Sequence, residues 1–155
     1  MVLSEKERTV IEDLKTQEQA CIDKYTKYSE QAKDPVLRDL FSDIAKQEQK
    51  HFDELNQVIE GKVPSSSSDD SFAKTAAEYE PKATYDSLSN SEAKKADNYL
   101  ATDAIGTEKL VSGEYNSDVF CFANSAIRKL LAKIQVEEQE HAEMIWKYKT
   151  ANGMA

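Results

Sequence analysis

Glycine and proline are scarce here, four and three in 155 residues. A turn-rich β fold needs many more of both, so their scarcity points to long helices. Cysteine is scarcer still, and Cys21 and Cys121 form no Cys-x-x-Cys pair. A disulfide framework or a thiolate-bound iron site within this sequence is thereby excluded. An isolated helical cysteine reads as a small buried hydrophobe, which is the expectation for Cys121. Cys21, one turn beyond Glu18, can face whatever Glu18 faces. Long apolar runs are missing too: the stretch from Ala126 to Ala132 is broken by Arg128 and Lys129. Nothing spans a bilayer, and the first residues lack the apolar core of a signal peptide, so a soluble, cytoplasmic protein with no membrane partner is expected. With 20 basic against 29 acidic residues and a net charge of −9, the clusters that bind phosphate backbones are absent, and no nucleic-acid partner is expected.

What is present is helical periodicity. Ser4 followed by Glu7 has the form of a capping box, opening a helix with Val10, Ile11, Leu14, Cys21, Ile22, Tyr25 and Tyr28 on one stripe. Asp34-Pro35 reads as a stop and restart, with Asp as cap and Pro at the first helical position. The second helix, ending at Gly61, carries Leu37, Leu40, Phe41, Ile44, Phe52, Leu55 and Ile59 on one face. Residues 61–90 show no sustained period and hold a serine run, expected to be flexible, with Phe72, Tyr79 and Tyr85 expected to lie on the bundle. A connection of roughly 30 residues suits a crossover along a bundle better than a tight turn. A third helix is expected from Ser91 to about Ala123, with Tyr99, Leu100, Ala104, Ile105, Leu110, Val111, Tyr115, Val119 and Phe122 facing inward. The fourth follows Asn124-Ser125, with Ile127, Leu130, Leu131, Ile134, Ile145, Trp146 and Tyr148 as its apolar face. The expected fold is all-α: one domain over 1–155, with helical hairpins at 4–60 and 91–150 joined by the crossover at 61–90.

An offset of 90 residues superimposes the two halves. Glu18 meets Glu108, Tyr25 meets Tyr115, Arg38 meets Arg128, Glu48 meets Glu138 and His51 meets His141, while Asp34-Pro35 falls on Asn124-Ser125. Both histidines of the chain sit in Glu-Gln-x-His, where Glu and His share a helix face one turn apart. Two such pairs opposite two single glutamates form the ligand set of a dinuclear carboxylate site, and Glu18 and Glu108 each precede their pair by 30 residues. Four carboxylates balance two divalent ions, and carboxylate with imidazole suits Fe or Mn. The blander reading makes the histidines surface residues bonded to the preceding Glu. Against it, both motifs lie along apolar stripes, where unpartnered carboxylates are costly. Tyr25 and Tyr115 read as donors to the ligating carboxylates or as core aromatics, and Arg38 and Arg128 as capping or salt-bridging residues.

These residues resemble the ferritin-like superfamily, closest to its rubrerythrin-type branch, without the rubredoxin domain. From Tyr99 onward (Tyr-Leu-Ala-Thr-Asp-Ala-Ile-Gly-Thr-Glu-Lys, then Tyr115 and Glu137-Glu138-Gln139-Glu140-His141) the chain also resembles the spore coat protein F family of sporulating bacteria. The first resemblance implies a ferritin-like four-helix bundle in which Glu18, Glu48, His51, Glu108, Glu138 and His141 bind two Fe ions, or Mn, or one of each. It also implies catalysis at those residues: an oxidoreductase reacting Fe(II) with peroxide or oxygen, drawing electrons from a separate donor protein. The second implies a structural spore-coat protein retaining a stabilising metal site, located in the coat. A homodimer is the expected assembly because twofold dimers are the commonest.

Overall fold

Local chemistry sets the helix boundaries. The computed structural model describes residues 1–65 and 71–155. Ser4 caps α1 (Glu5–Gln31) through a reciprocal box, Glu7 N donating to Ser4 Oγ and Ser4 N to Glu7 Oε2. Asp34 caps α2 (Pro35–Ile59) by accepting from Val36 N, with Pro35 at the first position. A short helix, α3 (Ser71–Glu78), lies within the crossover. Ser91 caps α4 (Glu92–Asp118), which tightens into a 3₁₀ turn at Val119–Cys121. Asn124 caps α5 (Ser125–Ala151) by accepting from Ala126 N, repeating the Asp34 geometry 90 residues on. Gly61 (φ 84°) and Gly153 (φ 65°) terminate α2 and α5 in the left-handed conformation that glycine adopts without strain.

Among the described residues the fold is all-α and bundle-like. α1 packs along α2 and α4 along α5, and smaller contacts join α1 to α4 and α2 to α5. Ile11, Leu14, Ile44, Leu55, Ile127, Leu131, Ile134 and Ile145 are buried between them. Tyr25 stacks at a tilt on Phe41, ring centroids 5.7 Å apart. Each fully buried aliphatic side chain of this kind contributes about 1.5–3 kcal/mol over exposure. The middle layer is different: it is built of carboxylates and imidazoles.

One end of the bundle is tied by two buried aspartates. Asp97 accepts the amides of Lys33 (2.8 Å) and Asp34 (2.9 Å) and the hydroxyl of Tyr85 (2.7 Å). Asp34 accepts Tyr148 OH at 2.6 Å and the hydroxyl of Thr84. The crossover is thus fastened to the α1–α2 turn and to the end of α5.

Several expectations need correction. The crossover contains a helix, α3, which packs on α5, buries Ala76 and receives Lys147 Nζ on the Ala76 carbonyl at 2.7 Å. Eight residues are too few to show a period, although Ala-Lys-Thr-Ala-Ala-Glu is made largely of helix formers. Tyr79 and Tyr85 are half-buried, as expected of a crossover lying on the bundle. Residues 66–70 of the serine run and the side chain of Phe72 lie outside the described residues. α4 ends at Asp118 rather than near Ala123. Tyr99 (71% exposed), Leu110 (74%) and Trp146 (54%) point outward, not into the core. On a 3.6-residue period Tyr99 and Leu110 fall beside Gly106 on the outer line of α4, opposite Ala104, Glu108, Val111 and Tyr115. Cys121 is half-buried in the 3₁₀ turn rather than in the core. Among the described residues no helix is long and apolar enough to cross a membrane.

Candidate metal centre

Glu18 projects from the middle of α1, Glu48 and His51 from α2, Glu108 from α4, and Glu138 and His141 from α5. All six are buried to at least 99%. They converge in two groups: Glu18, Glu48, His51 and Glu138 offer ligand atoms within 4.8 Å of one another, and so do Glu48, Glu108, Glu138 and His141. Glu48 and Glu138 belong to both groups. Each histidine turns Nδ1 toward the carboxylates: His51 Nδ1 lies 3.1 Å from Glu48 and 2.9 Å from Glu138, and His141 Nδ1 lies 3.3 Å from Glu48 and 3.4 Å from Glu108. The imidazole rings stack 5.7 Å apart.

Packed together and away from water, these carboxylates and imidazoles shift one another's proton affinities. Burial, and then Glu108, pushes the Glu48 carboxyl well above its usual range, and Glu138 is raised by burial, Glu108 and Glu48. Burial alone would depress both imidazoles, but Glu18 beside His51 and Glu108 beside His141 raise them. Burial opposes ionisation of Glu108 as well, yet hydrogen bonding to Glu138 and the charge of His141 hold it below the carboxylate range.

The residues fit a pair of divalent ions. Five buried carboxylate oxygens, Glu18 Oε2, Glu48 Oε1, Glu108 Oε2 and both of Glu138, lack a well-formed hydrogen bond, although Glu138 Oε1 lies 2.9 Å from His51 Nδ1 and Glu48 Oε1 3.3 Å from His141 Nδ1. Buried acceptors left so cost about 1–3 kcal/mol each, more when charged, unless something positive meets them. Carboxylate oxygens with two imidazole nitrogens suit divalent first-row metals.

The surrounding shell is crossed between the helix pairs. Tyr25 of α1 donates its hydroxyl to Glu108 Oε1 of α4, and Tyr115 of α4 donates to Glu18 Oε1 of α1. Burial, then the neighbouring carboxylates, raises both phenols, so they stay protonated and remain donors. Each is at once a core aromatic and a carboxylate donor. Arg38 caps the end of α1 on the carbonyls of Ala32 (2.6 Å) and Lys33 (3.1 Å). Arg128 does the same on Phe122 (3.0 Å) and Ala123 (2.6 Å), the carbonyls 90 residues on. Cys21 is buried, and burial followed by the surrounding glutamates drives its thiol far up, so it stays neutral and joins neither ligand group.

Glu137 is a candidate site residue to which the sequence reading gave no role. It is 2% exposed, and its Oε2 meets His51 Nε2 at 2.7 Å, fixing the ring so that Nδ1 faces the carboxylates. Lys133 stands 3.9 Å from the other oxygen of Glu137 and 3.0 Å from Glu54. The residue 90 positions before Glu137 is Gln47, so the repeat carried no signal for it. A cavity of about 270 Å³ between α4 and α5, walled by Ile105, Ser112, Gln139 and Ala142, comes up against Glu108 and Glu138, which themselves remain 1% and 0% exposed.

Residues 96–155, covering most of α4 and all of α5, match the family model of the Coat F domain. Comparison with curated proteins and with solved structures gives no match. The family match falls on the half that resembles the spore coat protein F family and makes no assignment to the rubrerythrin branch.

Proposed function

We propose that this chain is a structural coat-type protein, built as a ferritin-like bundle of two repeated helical hairpins and braced at its centre by two divalent ions. The observation that carries this reading is the pair of buried ligand groups sharing Glu48 and Glu138; the Coat F match over 96–155 supports the coat role and a location in the spore coat. Glu18 and His51 would hold one ion, Glu108 and His141 the other, with Glu48 and Glu138 between them. Ligands from all four long helices make the ions cross-braces, so their loss should loosen the bundle as a whole. Fe or Mn is the metal this donor set favours. The test is thermal unfolding of the metal-loaded and metal-free protein: a Tm well above that of the metal-free form supports the brace, and equal values refute it.

A second reading, an oxidoreductase of the rubrerythrin type, is favoured by the cavity that comes up against Glu108 and Glu138. Bound iron would supply one-electron chemistry toward peroxide or oxygen, with a separate protein donating electrons. The chain's own part would be to hold Glu18 and Glu108 through Tyr115 and Tyr25 and to keep bulk water from the buried carboxylates. Repeated peroxide consumption by Fe(II)-loaded protein supplied with reductant would replace the structural reading. A single oxidation without turnover would retain it.

A further inference from the structure

The repeat makes the two halves comparable position by position, and they differ where the site meets the surface. On the α4–α5 side Ala142 and Ser112 wall the cavity of about 270 Å³ that comes up against Glu108 and Glu138. Ninety residues earlier, the same positions are Phe52 and Ile22, both half-buried. Phe52 lies under Lys15, whose Nζ is 5.3 Å from the ring centroid. The surface groove beside them, lined by Lys15, Gln19 and Phe52, reaches neither Glu18 nor Glu48. Large side chains cover one edge of the site, and small ones leave the other covered by a thinner wall.

We infer that the site has one door, between α4 and α5 past Ala142 and Ser112, and that a small exogenous molecule binds there on the Glu108–His141 side alone. The inference rests on the two-metal reading proposed above. A space near the lower limit of ligand pockets suits molecules of a few atoms, such as peroxide, oxygen or azide, rather than an extended organic substrate. Metal positions that match in their ligands thereby become unlike in access. Glu18 and His51 hold a closed position, and Glu108 and His141 an open one.

The experiment uses the full chain loaded with Co(II), with azide as the probe, followed by visible absorption in a stopped-flow instrument. Wild-type protein should bind one azide per two cobalt ions. Ala142→Phe, which copies Phe52 into the door, should still bind two cobalt ions but take up azide more slowly by about tenfold or more. Ser112→Ile is the alternative block should Ala142→Phe fail to fold. Phe52→Ala should open the other edge and admit a second azide. Unchanged azide kinetics in a blocked variant holding two cobalt ions, or two azides bound to the wild type, would overturn the single door. Failure of the wild type to bind cobalt would instead overturn the two-metal reading and the door with it.

Discussion

Replacing Glu137 by Gln isolates one half of the site. The wild-type contact is a 2.7 Å hydrogen bond between His51 Nε2 and a carboxylate that is 2% exposed, so water screens it little. Glutamine keeps the shape and can still accept a hydrogen bond, but it removes the negative charge that makes the imidazole a stronger ligand. Losing such a partner lowers metal affinity by about 10–100-fold, or about 1.4–2.7 kcal/mol. The loss should fall on one ion only, because Glu137 touches His51, and its repeat position is already a glutamine, Gln47. Calorimetric titration with Mn(II) should therefore show two unequal steps separating further in Glu137→Gln, or merging if the His51 position is the tighter one in the wild type. An unchanged isotherm, or an equal weakening of both steps, would refute the reasoning.

Metal binding should also be pH-linked. Glu48, Glu138, His51 and His141 all hold protons more tightly than in an unfolded chain. Their contribution to the metal-free fold is complete below the unfolded values, about 4.3 for Glu and 6.5 for His, and is lost as pH rises through the folded values. Glu108 and Glu137, whose pKa values are lowered, act in the opposite sense and lose their contribution as pH falls. The metal-free protein should therefore melt lower as pH rises from about 6 to 9, while the loaded protein should not, as scanning calorimetry at several pH values would show. Asp97→Ala strips the acceptor from the Lys33 and Asp34 amides and from Tyr85, so urea denaturation should show a loss of about 3–5 kcal/mol. Gly113→Ala adds a methyl to an exposed helical position with nothing within 4 Å, and should raise stability by about 0.5–1 kcal/mol in the same assay.

The legible parts were those written twice. Asp34 and Asn124, Arg38 and Arg128, Tyr25 and Tyr115 and the six clustered Glu and His positions all appear at the 90-residue offset, and the structure gathers the six into two groups that could each hold a metal ion. Capping chemistry is local, so Ser4, Asp34 and Ser91 announced their helices without tertiary information. Glu137 was hidden because it breaks the repeat. Asp97 was hidden because a buried acceptor for two loop amides has no signature in its own neighbourhood. Tyr99, Leu110 and Trp146 misled for a different reason: apolar residues at three- and four-residue spacings also occur on outer faces, and period alone does not say which stripe is inside. The exchange of tyrosines between helix pairs depended on how α1 and α4 meet, which spacing along one helix does not specify.

The most direct test of the two-metal centre is elemental analysis of the purified chain after Fe(II) or Mn(II) loading and removal of free metal, for the wild type and for a Glu48→Gln, Glu138→Gln double variant. The account predicts about two ions per wild-type chain, and a loss of both when the two shared glutamates are gone. Wild-type protein that holds no metal, or a double variant that still holds two ions, would contradict it.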